Sequence, residues 1–219
     1  MNVLKNLKRM FWKRDDGAIG IGTMIIFIAM VLVAGIAASV LIQTSSRLES
    51  QAMTTGEETT AEVATGVEVT DVQAHVSSGS IDKIVVTIRC RAGSKDIDLS
   101  TSVLELSDGD TKYVLSYDNT VFAATPATLG FFETDVFDDL LATEFGLIEL
   151  QDEDGSFLQA TPVMNRGDKV VLSVNATATF GGLGERVIVS GRVIPEEGSA
   201  GIISFRTPSS FTENVYDLQ

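Results

Sequence analysis

Thirty consecutive positions, Gly17 to Ser46, carry no charged side chain, and within them Met24 to Ile42 is almost unbroken apolar sequence. A helix needs about 20 apolar residues to cross a bilayer core, and this run meets that length. Thr44 to about Ala64 is polar but helix-compatible in its first half, where Leu41, Leu48 and Ala52 share a face. A helix from Thr23 to about Ala64 would be roughly 60 Å long. Gly56 and the threonines around it weaken its far end.

From about Thr65 the period shortens to that of strands. Ile84, Val86, Ile88 and Cys90 alternate with Val85, Thr87, Arg89 and Arg91, the pattern of a half-buried strand. Val170, Leu172 and Val174 alternate with Lys169, Val171, Ser173 and Asn175, and Val187, Val189 and Val193 continue the theme. Further strands are predicted near 67–76, 103–106, 113–117, 147–150 and 202–205. Turn signals separate them: Ser78-Gly79, Asp108-Gly109-Asp110, Asp154-Gly155, Arg166-Gly167-Asp168, Gly181-Gly182 and Glu197-Gly198. Phe131–Phe145 fits neither period and has room for a helical turn. The expected class is α+β: a long N-terminal apolar helix, then an all-β, Ig-like sandwich.

Charge changes the picture at the front of the chain. Residues 1–17 hold Lys5, Lys8, Arg9, Lys13 and Arg14 against Asp15 and Asp16, a net of +3, so the remainder carries −17 of the overall −14. An acidic body of this kind speaks against nucleic-acid binding, which needs a basic face to displace counterions. The near flank of the apolar run is basic and the far flank is mixed and acidic, with Arg47 beside Glu49, Glu57 and Glu58, which places residues 1–16 in the cytoplasm and the bulk outside. With Cys90 as the single cysteine, packing rather than an intrachain disulfide must stabilise the external part.

Three readings of the apolar run follow. A cleaved secretory signal has a shorter apolar core, though Gly35-Ile36-Ala37 offers a small-x-small cut. A permanent single-span anchor needs only hydrophobicity. A pilin-like precursor is cut before the helix and keeps it. The residues favour the third. Gly17 ends the basic leader directly before the run, where a bare backbone suits a peptidase. Ala34, Gly35 and Ala38 supply small side chains for close helix packing.

The stretch GAIGIGTMIIFIAMVLVAGIAASVLIQTS, from Gly17, resembles the N-terminus of archaellins, the archaeal flagellins. NRGDKVVLSV and VIVSGRVIPEEGSAGIISFRTPSSF resemble archaellin C-terminal strands. The resemblance implies cleavage by a prepilin peptidase after Gly17, with Ala18 as the mature N-terminus and Gly20 as the family's third-position glycine. It implies three regions: leader 1–17, helix 18–64 serving first as membrane segment and then as filament core, and external domain 65–219. It further implies self-assembly, alone or with other archaellins, through the archaellum assembly platform into an extracellular filament for swimming. Asp15 and Asp16 depart from the basic residues the family places before the cut, and Gly22 replaces the glutamate of bacterial type IV pilins. The alternative is an adhesion pilin or a membrane-anchored extracellular binding module.

No residue set points to catalysis or a cofactor. His75 is the single histidine, and no nucleophile-elbow, HExxH, CxxC or P-loop pattern occurs. Cys90 reads as a packed thiol on the apolar side of its strand. Asp108-Gly109-Asp110 and Asp152-Glu153-Asp154-Gly155 offer carboxylates, but neither has the spacing of a complete calcium loop, so solvated turns are expected and no metal is assigned. Arg166-Gly167-Asp168 reads as a turn rather than an adhesion motif. Asn175-Ala176-Thr177 is the one N-glycosylation sequon, on the polar phase of its strand.

Overall fold

The computed structural model describes residues 3–124 and 130–219. Met1 and Asn2, at the head of the expected leader, lie outside them. The chain divides into two compact units, Met1–Glu57 and Glu58–Gln219.

Helix α1 runs Val3–Ala64. It therefore starts well before the apolar run and continues through the Gly17 junction. The reason is local: residues 3–16 are mostly Leu, Lys, Arg, Met and aromatic, with no proline, and a lone glycine weakens a helix without stopping it.

Eleven strands follow among the described residues: β1 Val67–Ser77, β2 Ser80–Cys90, β3 Ile97–Asp98, β4 Val103–Ser107, β5 Lys112–Ala123, β6 Glu144–Gln151, β7 Val163–Met164, β8 Lys169–Asn175, β9 Ile188–Ile194, β10 Gly201–Arg206 and β11 Val215–Asp217. A short helix α2, Ala176–Phe180, leaves the end of β8. Every expected strand is present, and β3, β7 and β11 were too short to show a period. Nine strands form one sheet in the order β10-β9-β4-β5-β6-β8-β2-β1-β11, with β3 and β7 paired separately. Among the described strands only β5 and β6 pair in parallel.

The two facing layers expected of the β domain come from this one sheet curling over. Val67 N donates to Ser199 O at 3.1 Å, and β10 lies beside β1 although they stand near opposite ends of the strand order. Gln219 completes the closure. Its backbone carbonyl accepts from Val72 N at 3.3 Å, and its side chain accepts from Ser204 N at 2.8 Å. An otherwise open β10 edge is thereby occupied. The enclosed core joins Val67, Ile84, Ile88, Leu104, Leu172 and Phe205 in a single cluster.

A second cluster lies on the outer face. Val85, Ile148 and Val171 are covered there by Val121, Val136, Phe137 and Leu140. The ambiguous stretch after Gly130 forms two 3₁₀ turns, Phe131–Glu133 and Asp135–Phe137. Val85 and Val171, assigned by alternation to the polar side, are buried instead. The uninterrupted runs Ile84-Val85-Val86 and Val170-Val171-Leu172 are the mark of strands covered on both faces.

Candidate assembly site

The apolar segment of α1 carries most of the exposed large hydrophobic side chains of the described residues. Ile19–Ala64 contains a window of mean hydropathy 3.0 with none of it buried within the chain. Phe27 is 67% exposed and Leu41 68% exposed. Apolar side chains occur all around the helix rather than along one stripe, so a single neighbour could not cover them. Exposed apolar area on this scale marks a surface that meets lipid or protein.

The expected processing residues Gly17, Ala18 and Gly20 all lie within α1. Ala34, Gly35 and Ala38 lie further along it. A side chain placed at Gly17, Gly20, Gly22 or Gly35 would meet nothing within 4 Å. No contact inside the chain therefore asks for a glycine there, although each costs a helix interior about 1 kcal/mol relative to alanine.

In the β domain, Asn175 caps α2. Its Oδ1 accepts from Ala178 N at 3.0 Å, and its Nδ2 donates to the Phe137 carbonyl at 3.0 Å. The nitrogen that would carry a glycan is thus half-buried and aimed at the segment covering the outer face. Val171 and Ser173, on the same phase of β8, are buried, so Asn175 is polar as a cap and not as part of a solvated face.

Asp152, Asp154 and Asp168 each bring an oxygen within 4.8 Å of one another, close enough to share a divalent cation. Sequence reasoning kept Asp168 apart, in the Arg166-Gly167-Asp168 turn; only the fold adds it to the loop. Asp168 is buried, accepting from Glu153 N at 3.2 Å and Asn165 N at 2.9 Å. That burial withdraws the turn's carboxylate from any adhesion partner. Asp152 accepts from Gly155 N at 2.8 Å and Phe157 N at 3.0 Å, so backbone amides shape the loop. Hydrogen bonds from the Ser156 side chain and backbone hold the Asp154 carboxyl below the ordinary carboxylate value. At Asp108-Gly109-Asp110, Asp108 instead accepts from Thr111 N at 2.8 Å, which stabilises its charge within a plain turn.

Cys90 is half-buried, and its thiol donates to the Met164 carbonyl at 3.3 Å. Burial pushes its pKa up to about 11, the opposite of an activated nucleophile. His75 Nδ1 lies 2.7 Å from Asp82 Oδ1, with its ring against Phe132.

A family model of the archaeal-type flagellins matches residues 17–205. The chain belongs to this family. The match begins at Gly17, so the basic segment lies ahead of it. Flagellin B3 of Methanocaldococcus jannaschii is 42% identical over 216 residues, covering 94% of this chain and 97% of that protein. The crystal structure of the archaeal flagellin FlaB1 from the same organism superposes with a TM-score of 0.63 at 35% identity, covering 71% of this flagellin and 98% of that chain. The archaeal flagellum of Methanospirillum hungatei gives a TM-score of 0.61 at 12% identity over 90% of this flagellin and 98% of that chain, a likeness of fold. The long helix followed by a large β domain is thus the architecture of archaeal flagellins.

Proposed function

We infer that this flagellin is a structural subunit of the archaellum filament, and that its apolar helix is the element that polymerises. The single observation that carries the reading is an uncharged helical stretch from Gly17 to Ser46 whose apolar side chains find no cover within their own chain. Its role is mechanical rather than catalytic.

The sequence of events has three steps. Lys5, Lys8, Arg9, Lys13 and Arg14 hold the leader on the cytoplasmic side while the apolar run occupies the membrane. A prepilin peptidase cuts after Gly17 and leaves Ala18 as the mature N-terminus. Removing the basic segment matters because charge drawn through lipid costs a few kcal/mol per residue. The freed helices then leave lipid for close packing against other copies, where Ala34, Gly35 and Ala38 let backbones approach. Identical contacts that do not close on themselves generate an open helical polymer, and the acidic β domains face the surrounding water.

The test is the mature N-terminus of purified filaments, read by mass spectrometry, beside a Gly17→Val variant. The expected result is a chain beginning at Ala18, with Gly17→Val retained uncut in the membrane. Filaments built from uncut wild-type chains would overturn the processing step and support a permanent anchor.

A further inference from the structure

Arg47 is the first charged residue after the uncharged run, and Glu49 is the second. Both are exposed. The ion pairs among the described residues all lie in the β domain and involve neither of them. One turn away from Arg47 on either side stand Gln43, Thr44, Ser50 and Gln51, none of which can neutralise it. Glu49 is two positions on, which is about 200° around the helix and about 3 Å along it. The two charges therefore point in opposite directions and cannot meet within one chain.

The face opposite Arg47 is otherwise uncharged from Ala38 to Val63, running through Ile42, Ser45, Ala52 and Gly56. Glu49 is its single charge. In an open polymer each contact joins one face of a subunit to a different face of the next. A helix that turns Arg47 toward the opposite face of a parallel neighbour therefore meets one carboxylate and no other. Packed beside an apolar core, a guanidinium without such a partner is costly, and a bidentate carboxylate satisfies it.

We propose that Arg47 of one copy pairs with Glu49 of the adjacent copy, an ion pair that sets the register between neighbouring helices. It rests on the filament reading above. An ion pair in an otherwise uncharged seam fixes register because a shifted packing leaves the charges unpaired.

Charge reversal tests it. Arg47→Glu and Glu49→Arg each place like charges at the contact, so each alone is expected to be inserted and processed normally yet to yield about tenfold less filament or worse. The exchanged variant Arg47→Glu/Glu49→Arg is expected to recover filaments, and the two single variants are expected to copolymerise when expressed together. Arg47→Cys/Glu49→Cys in a Cys90→Ser background, treated with a short bismaleimide, should give a ladder of multimers from filaments. Normal assembly of the single variants, no recovery by the exchange, or a monomer-only cross-linking pattern would overturn the pair. Failure of the wild-type chain to form filaments would instead overturn the filament reading itself.

Discussion

The side-chain nitrogen of Asn175 and the backbone oxygen of Phe137 lie 3.0 Å apart, joining the end of β8 to the segment that covers the outer face of the sheet. The same side chain caps α2 through Ala178. Both ends of the carboxamide are therefore engaged in holding the fold. Asn175 is expected to be unmodified in mature filaments, and an intact-mass measurement showing a glycan at this position would contradict that. Asn175→Ala should destabilise the β domain by about 1–2 kcal/mol, from loss of the cap and of a buried carbonyl's partner. Asn175→Asp keeps the acceptor for Ala178 and loses the donor to Phe137, so its denaturation midpoint should fall between those of wild type and alanine.

Phe137 itself is buried in the outer cluster with Val85, Ile148 and Val171, and Lys83 Nζ sits 4.9 Å from its ring centre. Removing the ring uncovers a face of three central strands. Phe137→Ala should cost about 3–5 kcal/mol in denaturant unfolding of the β domain. A loss under 1 kcal/mol would mean that the segment is a dispensable flap.

Acid should weaken the exposed side of β4 and β9. Glu105 faces Arg192 across the strand pair at 2.6 Å and Lys112 at 3.0 Å. Arg192 first, and Lys112 second, hold its carboxyl below the ordinary value of 4.5. A carboxylate whose pKa is lowered by folding contributes stability above its unfolded value, and that contribution disappears as pH falls through the folded value. Thermal midpoints of wild type should therefore drop toward those of Glu105→Gln below the ordinary glutamate range, while the two differ near neutrality. Parallel pH profiles for the two proteins would remove Glu105 from the account.

Ala34 and Ala38 separate filament core from simple anchor. Enlarging either to leucine raises membrane affinity. Among close-packed backbones the same change overpacks the contact, at about 1–3 kcal/mol, repeated in every subunit. Ala34→Leu and Ala38→Leu are expected to accumulate as processed, membrane-bound subunit with little released filament, measured by fractionation and electron microscopy. Normal filaments from both variants would show that the helices do not pack closely there.

Much of this protein was legible one residue after another. The uncharged run from Gly17 to Ser46 needs no fold to declare a surface for lipid or for other helices, because exclusion of charge is a property of the segment itself. Alternation at Ile84, Val86 and Ile88 placed a strand because the pleat repeats every two residues. Period alone could not tell that Val85 and Val171 are covered as well, since that depends on where Phe137 travels after leaving its own neighbourhood. Nor could it bring Asp168 to Asp152 and Asp154, or Gln219 to Ser204; those meetings join residues far apart in the chain. Local pattern determines which face of an element must be hidden, whereas the partner that hides it is chosen by the path of the sheet, and tertiary structure alone decides that path.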